Sequence, residues 1–297
     1  MVREMRGVVS IVAALLTLAA LATWGGALHP AADTLAVMRL PLVALAGTAV
    51  IWTNWPRRLR WPLAGLALLV LGQAAGLKLT TPEPGAFTVY QKNLWYGNTG
   101  YRDVAQDILA QAPDVVTLQE VSRHNDPLLD LLRAEYPHQH RCNSYGWGVV
   151  VLSRHPMMPG QALCSTGRGL SGARVATPDG PVWVLSLHLF WPWPHEQRPQ
   201  AEQIEALVDG LEGPVILSGD FNMVPWGSDV RRLALATGVE RAGPMRPTYW
   251  LRLAGWPLAI PLPLDQVWAT GGGRAELRPR LGSDHAGVLA RVHLDAD

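Results

Sequence analysis

The chain has 297 residues, 48% of them hydrophobic and 16% charged, a globular composition with room for one large domain or a medium domain plus an appendage. Residues 1–84 carry 7 Lys+Arg and 3 Asp+Glu, which leaves 18 against 21 in the remainder, a formal charge of −3. That balance argues against the broad basic surface that long nucleic acid demands.

The apolar excess sits at the start. Gly7 to Leu28 is an uncharged run of 22 residues, and Leu40–Pro56 and Trp61–Leu77 follow with 17 each. At ~1.5 Å per residue the first is long enough to cross a bilayer as a helix, and the other two are near the lower limit. Trp24, Trp52, Trp55 and Trp61 lie near the ends of these runs, where indoles favour the headgroup region. A cleaved signal peptide would share the basic start at Arg3 and Arg6. The first run is long for such a segment and two more follow it, so residues 1–79 are expected to form a membrane anchor of about three transmembrane helices. Arg3 and Arg6, and then Arg57, Arg58 and Arg60, fall on one side of such an anchor, the cytoplasmic one. Everything after Lys78 is then expected outside the cytoplasm. A transporter or channel would need more spans or intramembrane charges, and only Arg39 lies at a span edge.

Residues 80–85, Thr-Thr-Pro-Glu-Pro-Gly, break the pattern and read as a linker. Residues 86–297 suffice for one well-cored domain. Short β-rich runs recur at Phe87–Gln91, Val115–Leu118, Val149–Leu152, Val182–Leu187, Val215–Leu217 and Val288–Val292. Apolar spacing predicts helices over about Arg102–Gln111 and Glu196–Leu211. Pro178-Asp179-Gly180 turns one strand pair, 173–177 with 182–187, so mixed sheets are expected. The only two cysteines, Cys142 and Cys164, are either a disulfide or two buried thiols; spacing alone does not decide.

Polar residues cluster where strands end: Lys92-Asn93, Gln119-Glu120, His188, Gly219-Asp220-Phe221-Asn222, Asp265, and Ser283-Asp284-His285 before the last strand. Loops at one end of a layered α/β domain gather such groups into a site. Asn93, Glu120, Asp220, Asn222, Asp265 and Asp284 supply hard oxygens, which suit Mg²⁺ or Mn²⁺. A hard cation beside carboxylates and two imidazoles is suited to phosphoryl chemistry.

In this order the motifs resemble the endonuclease/exonuclease/phosphatase superfamily, the deoxyribonuclease-I-like fold, over nearly all of residues 85–297. The resemblance implies an α/β fold, a four-layer α/β/β/α sandwich of two mixed β-sheets, and divalent-metal hydrolysis of a phosphate ester by in-line attack of water. It implies Glu120 as principal metal ligand with Asn93 beside it and Asp284 in support. Asp220 would align and deprotonate the water, Asn222 would hold a phosphate oxygen, and Asp265 would fix the tautomer of a phosphate-contacting His285. His188 would stabilise the transition state or protonate the leaving oxygen. Asp265-Gln266 stands where Asp-His is frequent in the family, and Gln266 is expected on the other side of its strand. Arg174 and Arg198 are weaker candidates for substrate phosphate, and His155 and His195 read as surface residues.

Two apolar loops flank these motifs, Phe190-Trp191-Pro192-Trp193-Pro194 and Trp250–Leu258. Each either packs inward or forms a membrane-facing rim for a lipid headgroup. The expected substrate is a phosphate ester: a lipid headgroup, a small phosphodiester or nucleic acid. An extracytoplasmic nuclease is the nearest alternative, and a non-catalytic membrane-bound binding domain is the alternative from another class.

Overall fold

The computed structural model describes residues 2–295 apart from Tyr145, Thr166, Arg168, Ala254 and Gly255. The apolar N-terminus folds as α1 (Val2–Ala22), α2 (Pro30–Val37), α3 (Arg39–Ile51) and α4 (Arg57–Leu79). Helices α1 and α4 are each long and apolar enough to cross a membrane. The middle run differs from the single span its length suggests. Helix α3 has 13 residues, about 20 Å at ~1.5 Å per residue, against a hydrocarbon layer of about 30 Å. A third span exists only if α2 and α3 count together, and they are bent by 74°.

Helices α1, α3 and α4 pack as an antiparallel bundle. A Cβ on Gly47 would collide with the methyl of Ala67, so α3 and α4 approach as closely as small residues permit. Asn54 N–H donates to Ser10 Oγ at one end (3.0 Å) and Arg39 Nε to Thr23 Oγ1 at the other (3.0 Å). The α3–α4 turn, with Arg57, Arg58 and Arg60 in the first turn of α4, therefore lies at the N-terminal end of α1, and Lys78 at the opposite end.

Helix α2 leaves the bundle and joins the following domain. Ala36 is buried in that domain's core and Val37 packs on it. Trp226 Nε1 donates to the Ala36 carbonyl at 2.8 Å, and Ser228 N–H to Asp33 Oδ1 at 2.9 Å. The extended linker at 80–85 is thus not the only connection between the two parts.

The large domain runs β1 (Phe87–Asn93), α5 (Tyr101–Gln111), β2 (Val115–Val121), α6 (Pro127–Leu132), β3 (His138–Ser144), β4 (Trp147–Ser153), β5 (Met157–Ser165), β6 (Leu170–Thr177) and β7 (Gly180–His188). It continues with α7 (Gln197–Val208), β8 (Val215–Asp220), α8 (Ser228–Thr237), β9 (Glu240–Arg241), β10 (Tyr249–Leu253), β11 (Trp256–Leu262), β12 (Asp265–Ala269), β13 (Gly273–Arg278) and β14 (Gly287–Val292). One six-stranded sheet has the order β13-β14-β1-β2-β4-β3 and the other β5-β6-β7-β8-β12-β9. Both are mixed: β1 pairs with β2 and β7 with β8 in parallel, through crossovers that carry α5 and α7, while the other named pairings are antiparallel.

Strand alternation produces the four layers. Val89, Val115, Val184 and Ile216 point into the seam between the sheets. Their neighbours Tyr90 and Val116 face α5 and α6, and Leu185 and Leu217 face α7 and α8. The α7 residues Ala201, Ile204 and Val208 recur at the three- and four-residue spacing that puts them on the buried face.

The Trp250–Leu258 run is not a loop. Apart from Ala254 and Gly255, which lie outside the described residues, it forms most of an antiparallel hairpin, β10 with β11, outside both sheets. Trp256 is 78% exposed there, and the Trp250 ring is covered by the Arg280 guanidinium at 4.5 Å. Cys142 on β3 and Cys164 on β5 form a disulfide, which joins an edge strand of one sheet to an edge strand of the other.

Candidate active site

Each sheet has one parallel pair, and both pairs end at the same cleft. Register places Asn93 beside Gln119 in one sheet and His188 beside Asp220 in the other, with Asp265 opposite Asp220 on the antiparallel neighbour. Open α/β sheets present ligand groups beyond the carboxyl ends of parallel strands. The segment 283–285 enters from the connection before β14, and Ser283 fastens it. Its Oγ donates to the Asn93 carbonyl at 2.8 Å and accepts the His285 N–H at 3.0 Å.

Asp220 is the centre. Asn93 Nδ2 donates to its Oδ2 at 2.9 Å, and the Nε2 atoms of His188 and His285 each lie 3.8 Å from that oxygen. Its Oδ1 accepts the Asn222 N–H at 2.8 Å, while Asn222 Nδ2 donates to the Leu189 carbonyl at 2.7 Å. Two backbone features make the turn. Gly219 has φ 157°, and a Cβ there would overlap the Leu187 carbonyl oxygen on β7. Asn222 has φ 45°, a left-handed conformation that Asn tolerates better than most residues.

Glu120 also lies at positive φ, 57°, which turns its carboxylate into the cleft while Gln119 stays in the core. Its Oε1 accepts from Asn93 Nδ2 at 3.0 Å and its Oε2 from the Tyr96 N–H at 2.9 Å, with His188 Nε2 at 3.7 Å from Oε1. Asn93 Oδ1 accepts the Trp95 N–H at 2.9 Å.

A buried relay supports His285. Its Nδ1 lies 2.7 Å from Asp265 Oδ2, and Gln91 Nε2 donates to the other Asp265 oxygen at 2.9 Å. Thr248 Oγ1 accepts the Asp265 N–H at 3.0 Å, and Lys92 Nζ donates to the His285 carbonyl at 3.0 Å. Burial pushes the Asp265 carboxyl up, but the His285 charge and the bonds from His285, Thr248 and Gln91 outweigh it and hold it below the carboxylate range. Burial also opposes a charge on His285; Asp265 and Asp220 overcome it and raise the imidazole to about 10. Asp220 moves the other way: burial, helped by the Asp265 charge, raises its carboxyl despite the two histidines. Burial lowers Lys92 to about 8, against the pull of Asp265, Asp107 and Asp284.

Two groupings offer metal ligands near the cleft. Ligand atoms of Asp220, Asp265 and His285 lie within 4.8 Å of one another. Both Asp265 oxygens are already engaged, so that trio is built as a hydrogen-bond relay. The Glu120 carboxylate, with Asp220 Oδ2 alongside, puts hard oxygens at the open side, and these fit Mg²⁺ or Mn²⁺, while Asn93 turns its Nδ2 toward both carboxylates and its Oδ1 to the Trp95 N–H. His140, Cys142 and Cys164 also cluster, but there the sulfurs are joined to each other.

The cleft encloses about 330 Å³, and Glu120, His188, Asp220, Asn222, Asp284 and His285 all line it. Asn93 and Asp265 stand immediately behind, bonded to lining residues. Arg174 and Arg198 do not reach it. Arg174 bonds Gln161 Oε1 at 3.0 Å and lies over the Trp183 ring. Arg198 is held by Asp229 (2.9 Å), Asp33 (3.3 Å) and Ser228 (2.8 Å), where α2 meets the large domain. Gln266 points away from the cleft, donating to the Met223 and Pro263 carbonyls.

The walls are aromatic. Trp95, Tyr96, Trp147, Phe190, Trp191 and Tyr249 line the cleft. Tyr96 and Trp147 are stacked with centroids 5.1 Å apart, and Tyr249 lies 4.8 Å from the His285 ring. The Phe190–Pro194 loop thus divides: Phe190 and Trp191 face the cleft, while Trp193 is half exposed. His195, read from sequence as a surface residue, lines the cleft too. Trp95-Tyr96, two and three residues after Asn93, was a usable signal; Trp147 arrives through the β3–β4 turn and has no local one.

A family model described as the Endonuclease/Exonuclease/phosphatase family matches residues 91–285. No curated protein matches the sequence significantly. Among solved structures, an endonuclease/exonuclease/phosphatase family protein from Leptotrichia buccalis is similar at TM-score 0.57 and 16% identity, covering 70% of this chain and 100% of its own. A beta toxin mutant from Staphylococcus aureus with bound magnesium ions follows at 0.54 and 16%, covering 70% and 100%. TDP2 from D. rerio complexed with a single strand DNA product gives 0.55 and 16%, covering 69% and 97%.

Proposed function

Because this chain belongs to the endonuclease/exonuclease/phosphatase family, we propose that it is a membrane-anchored, Mg²⁺- or Mn²⁺-dependent hydrolase of phosphate esters. One observation carries the reading: side chains from the strand ends of both sheets converge on Asp220 Oδ2, with Asn93 at 2.9 Å and two imidazole nitrogens at 3.8 Å.

Glu120 would hold the cation, with Asp284 in support and Asn93 joining once its carboxamide oxygen turns from the Trp95 N–H toward Glu120, and the bound cation supplies neutralisation of the phosphate oxygens. The protein's own groups account for the rest. Asp220, its carboxyl raised by burial, is a competent base for a water aligned against phosphorus. The water oxygen bonds to phosphorus as the bond to the leaving oxygen breaks, and the water's proton passes to Asp220. His285, cationic at neutral pH, donates from Nε2 to a phosphoryl oxygen, and Asn222 steadies the same group. His188, on the open side, gives the proton that the leaving oxygen requires.

Supporting an extracytoplasmic domain are the two arginine clusters at the far end of the bundle and the Cys142–Cys164 disulfide, a bond typical of oxidising compartments. Among the described residues no Lys or Arg lines the cleft, which favours a lipid headgroup or small phosphodiester over duplex DNA. The stacked Tyr96–Trp147 pair favours a second reading, a single-strand nuclease, since every base offers a face to stack on. The test is a screen of full-length protein in detergent against phospholipids, phosphomonoesters, dinucleotides and single strands with Mg²⁺, Mn²⁺ or EDTA. Cleavage of phospholipid alone supports the first reading, and cleavage of single strands alone the second. Activity that survives EDTA overturns both.

A further inference from the structure

A second cavity, of about 230 Å³, lies between the helix bundle and the large domain, away from the catalytic cleft. Leu40 and Pro41, in the first turn of α3, form one wall, and Trp226, Met245, Ile260 and Leu262 form the other. Lys78, in the last turn of α4, and Arg246 stand at its edge, both exposed, and among the described residues no acidic one lines it. The end of α4 is fixed to the large domain here: Met245 N–H donates to the Leu77 carbonyl at 2.7 Å and Arg246 Nη1 to that of Lys78 at 3.3 Å.

The position decides what fits. The cavity opens where α3 begins and α4 ends, at the boundary between apolar layer and water if these helices lie in a membrane. Its apolar walls offer water too few partners, while two cations at the rim call for an anion. An acyl chain attached to a phosphate satisfies both, the chain against Leu40, Trp226 and Ile260 and the phosphate between Lys78 and Arg246. We propose that this cavity binds one anionic phospholipid as a fixed component rather than as substrate.

Such a lipid braces part of the catalytic relay. Its walls include Pro247, Leu262 and Pro263. Thr248, next in the chain, donates its N–H to the Leu262 carbonyl at 3.0 Å, and its Oγ1 holds the N–H groups of Leu264 and Asp265. The occupied cavity would therefore fix the segment that seats Asp265 against His285.

The proposal rests on the anchored reading, and its test needs no turnover. Full-length protein in neutral detergent is given phosphatidylglycerol or phosphatidylcholine in mixed micelles, and bound lipid is read by native mass spectrometry beside thermal unfolding. Phosphatidylglycerol is expected to bind one per chain and raise Tm by about 5 °C, with phosphatidylcholine doing neither. The double variant Lys78→Gln/Arg246→Gln is expected to lose that preference while keeping the wild-type Tm in phosphatidylcholine. Equal effects of the two lipids on the wild type, or an unchanged preference in the variant, overturn the proposal. Release of the chain from membranes by alkaline carbonate overturns the anchor and the proposal with it; retention with equal lipid effects overturns the proposal alone.

Discussion

The His285 Nδ1 sits 2.7 Å from Asp265 Oδ2, and the second oxygen of that carboxylate is held by Gln91, so the imidazole is locked with Nε2 facing Asp220. Asp265 is the group that makes a buried cationic histidine tolerable. Asp265→Asn keeps the shape and removes the charge. We expect kcat to fall by about 10²- to 10⁴-fold with KM little changed, because a proton and charge function is lost while binding groups remain. Steady-state kinetics on the substrate found in the screen measures this, and an unchanged kcat contradicts the role.

Arg198 is only a weak sequence candidate for substrate phosphate, and its place between Asp33 and Asp229 makes it a tie between α2 and the large domain. Arg198→Ala leaves two buried carboxylates facing each other. The expected cost is about 3 kcal/mol or more of stability, without a change in KM. Thermal unfolding and kinetics separate these effects; a raised KM at unchanged stability would restore the substrate role. Removing residues 1–84 should be worse still, since Ala36 and Asp33 go together and Trp226 Nε1 loses its acceptor.

Asp107 provides a pH dependence away from the catalytic groups. Burial pushes its carboxyl up, but hydrogen bonds from Arg278 and Tyr90 and the Arg278 charge outweigh that and hold it low. A carboxyl depressed in the folded state contributes stability above its ordinary value and loses it as pH falls through the depressed one. Melting temperature should therefore drop on the acid side, and Asp107→Asn should flatten that limb while lowering the plateau near neutrality. An unaltered acid limb in the variant contradicts the assignment.

The Cys142–Cys164 bond closes a separation of 22 residues and crosses from one sheet's edge to the other's. By loop entropy it is worth about 3 kcal/mol. A thiol reductant, or Cys142→Ser with Cys164→Ser, should lower Tm by several degrees; no change would show that the bond staples nothing.

Some of this was legible in the sequence because the physics is local. Strand-end Asn93, Glu120, His188 and Asp220 follow apolar runs that read as strands, and the Gly219 turn advertises its backbone. Spacing at Val104 and Ile108 marked α5 as plainly. Other elements were hidden for stated reasons. Strands β3 and β13 are polar edges, β5 contains Pro159 and Gly160 with a register shift, and the β10–β11 run carries prolines that read as loop. Helix α2 is apolar because it docks on a protein core, a pattern that composition cannot separate from insertion into lipid. Trp147 and His195 reach the cleft only through tertiary folding, and Arg198 stayed a weak candidate because a free arginine and a paired one look the same in sequence.

In the proposed function Glu120 and its neighbours make one metal-dependent site for attack of water on phosphorus. The most direct measurement is hydrolysis of a phosphate ester by the full-length protein in ¹⁸O-labelled water, with Mg²⁺, with EDTA, and in Glu120→Ala. One ¹⁸O atom is expected in the phosphate-bearing product, with loss of turnover in the other two arms. Label in the alcohol product, or turnover that persists both in EDTA and in the Glu120 variant, would contradict it.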